Sequence, residues 1–344
     1  MKALRSVEEE KQMTNAYRIF GSEMSPYSVK VRSWFRYKQI AHEWIVRNAS
    51  NAADFSKYAK IPVIPLVVTP AGEGMQDSSP VIEKLETAFP APAIQPADPT
   101  LAFLSALIEE FGDEWGNKWM FHYRWARDVD QIASAGRIAL SMAPAMNEAD
   151  WTTMREKIRE RMTGRVFFVG SNEQNAPFIE QTFQQALAQY EAHFATRPYL
   201  FGARPAYADF GLWGQFYCLW TDPTTGALIE ARAPNTLAWI QRMLWPRAEG
   251  DFESWDELAP TLAPILSDQV GALFLPWSAA NAAAIASGVE EFTVHLKGRA
   301  WTQKPQKYHA KSLDALRAKY RAMADKSALD AILAETDCLS GVRE

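Results

Sequence analysis

Residues 17–38, YRIFGSEMSPYSVKVRSWFRYK, decide the fold. A short apolar run, Tyr17 to Phe20, ends in a polar loop, and Ser25-Pro26 then opens a stretch to Lys38 with apolar residues at helical spacing. Serine is a preferred helix cap and proline suits the first helical position, so the pair predicts a helix starting at Pro26. Residues 43–46 (EWIV) and Leu66-Val67-Val68-Thr69 read as further strands. Pro70-Ala71-Gly72-Glu73-Gly74 supplies the dihedrals of a turn. A helix follows from Ser78 to about Ala88 and stops at Phe89-Pro90, because the residue before a proline is pushed out of the helical region. The order is β-α-β, then β-β-α.

Residues 91–99 are rich in proline and read as a linker. Beyond them strand signals nearly vanish, and helical stretches are expected at about 100–130, 150–163, 176–194, 207–220 and 234–244. The chain continues with a helical segment near 255–275, a strand candidate at Glu291–Leu296 and a terminal helix near 312–335. The expected organisation is a flexible arm over 1–15, an α/β domain over 16–90, the linker over 91–99, an all-helical domain over 100–248 and a mostly helical extension over 249–344.

At 344 residues and 48% hydrophobic content the chain suits two packed cores. A net charge of −5 gives no basic surface for nucleic acid. The two cysteines, Cys218 and Cys338, offer neither a metal-ligand spacing nor a disulfide framework, and fit a reducing cytoplasm. No metal site is expected. The uncharged run Gln269 to Gly288 is about long enough to span a bilayer, but Pro276 and its polar and small residues favour a buried helix–loop pair.

Three short motifs carry the chemistry. Ser25-Pro26-Tyr27-Ser28 puts a hydroxyl at a helix start, where free N–H groups and partial positive charge favour an anion. Ile64-Pro65 is an X-Pro bond just before a strand, with Pro62 as a competitor for the same role. Asp77-Ser78 is an acidic–hydroxyl pair opening the next helix. Each has an ordinary structural use, Ser25 and Ser78 as caps and Asp77 as a turn residue. Together, over roughly residues 16 to 245, they resemble the cytosolic glutathione S-transferase family, of serine type and bacterial kind. That resemblance implies a thioredoxin-like N-terminal domain and an all-α C-terminal domain, here with a C-terminal extension.

By the same resemblance, Ser25 stabilises the thiolate of glutathione, Ile64 pairs its main chain with the cysteinyl part, and Asp77 and Ser78 meet the two charged ends of the glutamyl part. Pro65 is the family's cis proline, and Tyr27 joins the glutathione-binding residues; Tyr27 also reads as a packing residue against a neighbouring helix. Lys57 or Lys60 is a candidate for the glycine carboxylate. A free thiol titrates near 8.5, and lowering it by about two units takes roughly 2.7 kcal/mol. One charge-assisted hydrogen bond plus a helix terminus supplies about that. Related members with cysteine at this position exchange disulfides; serine cannot.

Phe201-Gly202 with Pro205-Ala206-Tyr207-Ala208-Asp209-Phe210 resembles the helical domain's folding motif, with Ala206 standing where a capping Ser or Thr is usual. That exchange costs about 1 kcal/mol unless Asp209 finds another donor. Phe111, Trp115, Trp119, His122 and Ala126 share a helical face, and Glu114 and Lys118 form an i,i+4 pair. The stripe reads as core; the resemblance makes Trp119, His122 and Tyr123 candidates for the second-substrate pocket. The basic loop Lys297–Lys311 reads as a solvated surface or as a cover for that pocket. The expected function is a glutathione transferase acting on a small hydrophobic electrophile, a cytoplasmic homodimer of detoxification type, without nucleic-acid or membrane partners. The alternative is a non-catalytic glutathione-binding or scaffold protein of the same fold.

Overall fold

The computed structural model describes residues 16–343; the expected arm at 1–15 lies outside them. Four strands form the N-terminal sheet: β1 (Tyr17–Gly21), β2 (His42–Val46), β3 (Leu66–Val68) and β4 (Gly74–Gln76), in the order β2-β1-β3-β4. β1 and β2 are parallel, while β3 is antiparallel to both β1 and β4. The crossover from β1 to β2 is α1 (Pro26–Tyr37). A short α2 (Ala52–Tyr58), which no motif announced, precedes β3, and α3 (Ser78–Ala88) follows β4.

Because successive strand residues face opposite sides, Ile19 and Val67 point into the main core with α1 and α3, while Phe20, Leu66 and Val68 pack on Phe55 of α2. This is the thioredoxin-like arrangement.

The helical half begins with α4 (Pro99–Phe111), capped by the Asp98 carboxylate, which accepts the Thr100 N–H at 2.7 Å. A π turn at Gly112–Gly116 leads into α5 (Asn117–Ala126), and α6 (Asp128–Met142) and α7 (Glu148–Thr163) follow. Then come α8 (Ala176–Phe194), α9 (Tyr207–Thr221), α10 (Pro223–Arg232) and α11 (Pro234–Arg242). Asp209 does find other donors: its carboxylate accepts the N–H groups of Leu200 (2.9 Å) and Ala206 (2.8 Å) and the Trp239 indole N–H (2.8 Å).

The π turn changes what the helical spacing predicted. A π turn takes more than the usual residues per turn, so i,i+4 partners across it no longer face one another. Lys118 is thereby turned from Glu114 into a box of three indoles. Its ammonium lies 3.7 Å from the Trp277 ring centre, 5.6 Å from Trp115 and 5.5 Å from Trp301. With no carboxylate beside it among the described residues, burial pushes the Lys118 amine well down.

The extension continues through α12 (Trp255–Ile265), a π segment (Leu266–Phe274) and α13 (Leu275–Ser287) as one unbroken helix rather than a helix–loop pair. Pro276 lies inside this continuous helix, directly after the π segment, whose wider turn replaces the regular bonding that a proline interrupts. This helix is long and apolar enough to cross a membrane by composition, with mean hydropathy 1.3 over a window that is 56% buried inside the protein. A hairpin, β5 (Phe292–Leu296) and β6 (Arg299–Gln303), carries Trp301 and Gln303 to Lys118. The expected terminal helix is two, α14 (Lys307–Ala322) and α15 (Ser327–Glu335), and a short last turn follows at Leu339–Arg343.

Candidate functional site

Strand register brings the three motifs together. Phe20 of β1 pairs with Leu66 of β3, and Leu66 with Gln76 of β4. The residues just beyond, Gly21, Pro65 and Asp77, therefore line up at one end of the sheet, with α1 and α3 both starting there.

Ser25 is half-buried and caps α1. Its hydroxyl oxygen accepts the Ser28 N–H at 3.3 Å, which leaves its proton free to donate. The Ile64–Pro65 bond is cis, and among the described residues no hydrogen bond uses the Ile64 main chain. Ser78 is buried as the first residue of α3, so the cap position belongs to Asp77. Asp77 adopts a left-handed φ of 78° and makes no side-chain cap bond; its carboxylate accepts instead from the Tyr308 hydroxyl at 2.5 Å. The Tyr27 hydroxyl donates to the Asp113 carbonyl at 3.1 Å. Burial, then the Asp113 carboxylate, push this phenol well up, so it stays protonated.

Beneath the site lies a buried ionic cluster that no motif announced. The Lys30 ammonium, on α1, contacts the carboxylates of Glu109 and Asp113 and donates to the Ser79 hydroxyl at 2.9 Å. Two acids compete for one ammonium, and burial pushes Asp113 up to about 7. Burial, then Glu109, raises neighbouring Glu110 to about 8.

Arg124, on α5, was also missed. It donates to the Met24 carbonyl at 2.8 Å, next to Ser25, while Asp222 holds its other edge at 2.7 Å. On the far side α9 presses its backbone on the start of α1: a Cβ at Gly214 would lie 2.5 Å from the Pro26 carbonyl oxygen.

Trp119, His122 and Tyr123 are not gathered at this end of the sheet. All three are buried on α5, packed toward α8. The Trp119 indole donates to Thr182 at 3.0 Å, His122 lies between Ser171 (2.8 Å) and Glu180 (3.2 Å), and Tyr123 packs edge-on to Phe183. Burial holds the His122 imidazole below its ordinary value. Among the described residues no group of three or more His, Cys, Asp or Glu is arranged to hold a metal.

Residues 19–93 match the family model for the glutathione S-transferase N-terminal domain, and residues 156–242 match that for the C-terminal domain. No curated protein matches the sequence. Solved structures that resemble the chain include a glutathione S-transferase from Methylobacterium radiotolerans in complex with glutathione sulfonate. The identity is 18%, 70% of this chain and 99% of that one are covered, and the TM-score is 0.39. A beta-etherase from Sphingobium sp. strain SYK-6 is similar at 17% identity, covering 66% and 94%, with a TM-score of 0.46. A glutathione S-transferase from Methylobacillus flagellatus with glutathione bound is similar at 17% identity, covering 67% and 95%, with a TM-score of 0.39. With both family domains matched in order on a four-stranded sheet followed by a helical half, the chain belongs to the glutathione S-transferase family.

Proposed function

We propose that the protein is a glutathione transferase that holds glutathione as its thiolate for attack on a small hydrophobic electrophile. One convergence carries this reading. The cap of α1 at Ser25, the Ile64 main chain and the Asp77 carboxylate, the last two without a hydrogen-bonded or cationic partner respectively among the described residues, meet at one sheet end. Those three groups fit the sulfur, the cysteinyl main chain and the glutamyl ammonium of the tripeptide.

Glutathione supplies the sulfur nucleophile. Ser25 donates its hydroxyl proton toward that sulfur, and the start of α1 adds partial positive charge. Together they contribute about 2–3 kcal/mol of preference for thiolate. Ser78 and the first turn of α3 receive the glutamyl carboxylate, and Tyr27, kept protonated, is a donor or a wall rather than a base. The proposal extends to a cytoplasmic homodimer with a detoxifying role. The exposed apolar residues Ile61 and Val63 beside the site, and Val129 and Ile132 on α6, favour a second copy as their cover.

The test is an ultraviolet thiolate titration of the glutathione complex. In the wild type the bound thiol should titrate below free glutathione, and in Ser25→Ala it should return toward the free value. An unshifted thiol in the wild-type complex refutes thiolate activation and leaves only a binding module. Light scattering reads the dimer.

A further inference from the structure

We infer that Tyr308, in the first turn of α14, is a positioning residue of the glutathione site: it holds the Asp77 carboxylate in place to receive the ligand's glutamyl ammonium. The inference rests on the glutathione reading above and adds to it a role for the extension. The motif match that suggested Asp77 ends long before residue 308, and the two residues are 231 positions apart.

Asp77 needs such a partner. Its backbone is left-handed, its side chain makes no bond to the helix it precedes, and among the described residues no lysine or arginine pairs with it. The groups facing Tyr308 are Asp77, Asp113 and Glu110. With no bond to its own helix and, among the described residues, no cation beside it, the Asp77 carboxylate is otherwise free to rotate outward into solvent. The Tyr308 hydroxyl, 2.5 Å from Oδ2, opposes that drift. A lysine or arginine there would also hold Asp77, but it would neutralise the carboxylate and repel an arriving ammonium. A phenol orients without neutralising, and it leaves Oδ1 for the ligand. Burial and the Asp77 carboxylate both push the Tyr308 phenol up, which keeps it a donor.

The position of Tyr308 is itself fixed across both domains. Lys319 of α14 pairs with Glu83 of α3, Ser312 and His309 approach Glu114, and the His309 ring packs edge-on to Trp277 at 5.0 Å. Leu313, Leu316 and Tyr320 bury the inner face of the helix. Tyr308 itself remains 54% exposed.

The experiment is titration calorimetry of the full chain with glutathione and with glutaryl-cysteinyl-glycine, which lacks only the glutamyl ammonium. Tyr308→Phe should weaken glutathione by about 5- to 20-fold, the loss of one hydrogen bond to a charged group, and change the analogue by less than about twofold. Tyr308→Gln, which restores a neutral donor, should recover part of the loss. In an Asp77→Asn background Tyr308→Phe should have little further effect. Equal weakening of both ligands makes Tyr308 a packing residue and overturns the inference. Unchanged or tighter glutathione binding overturns it as well, the latter making the tyrosine a plug. Wild-type chain without affinity for glutathione overturns the underlying reading instead, and an Asp77→Asn chain with full affinity removes Asp77 from the site.

Discussion

The Lys30 ammonium lies 2.6 Å from an Asp113 carboxylate oxygen, joining the second turn of α1 to the π turn of the helical half. This bond, shared with Glu109, ties the two domains directly beneath the residue that caps α1. The geometry at Ser25 thus depends on groups more than eighty positions away in sequence.

Lys30→Met leaves Glu109 and Asp113 buried without their cation and should cost roughly 3–5 kcal/mol of stability. Urea denaturation measures it. Combining Lys30→Met with Glu109→Gln and Asp113→Asn should return much of the loss, because the uncompensated charges go with it.

The contribution of Glu110 and Asp113 to stability should fall as pH rises toward about 8. In the unfolded chain Asp113 and Glu110 lose their protons near 4, whereas in the fold they keep them to about 7 and about 8. The folded form therefore binds more protons across that interval and loses stability as pH climbs through it. His122 and His193, held neutral by burial, act in the opposite sense below their ordinary 6.5, and Lys118, pushed well down by burial, acts in that same opposite sense above it, so the acids are read by comparing the wild type with Glu110→Gln. Between about pH 6.5 and 8 the urea midpoint of Glu110→Gln, neutral throughout, should rise relative to that of the wild type as pH climbs.

Gly214→Ala pushes a methyl group against the Pro26 carbonyl, 2.5 Å away in the native backbone. The start of α1 must shift, and the expected cost is about 1–3 kcal/mol. Glutathione affinity should fall with it, because Ser25 moves. Calorimetric affinity unchanged beside a lowered melting temperature would separate α9 packing from the site.

Ser25→Cys should convert the site to disulfide chemistry. A thiol at a helix N-terminus has a lowered pKa and attacks glutathione disulfide. Intact mass spectrometry should then show one glutathionyl adduct. The wild type should show none, since Cys218 and Cys338 are both buried.

The strand–helix unit at 17–38 and the start of α3 were legible because each rests on neighbours in sequence, whereas the cis proline at 65 and the anchoring role of Asp209 were legible only through the family resemblance. Ser25 and Pro26 fix a helix start by their own backbone preferences. Periodicity could not reveal the π turn at 112–116, because spacing counts residues and not the turn that holds them. That turn separates Glu114 from Lys118 and sends Lys118 among Trp115, Trp277 and Trp301. Phe111, Trp115, Trp119 and His122 of the stripe are buried, as its core reading expects, while Ala126 at its end is exposed.

What the chain's local chemistry determined is where helices begin, where strands run and which short segments suit a tripeptide ligand. Tertiary structure alone decided which acid Lys30 meets, that Arg124 grips the loop before Ser25, and that a tyrosine from the extension reaches Asp77. Dihedral preferences and caps act over a few residues and are written in order along the chain. Burial, ion pairing and hydrogen bonds between domains depend on distance in space, which packing alone sets.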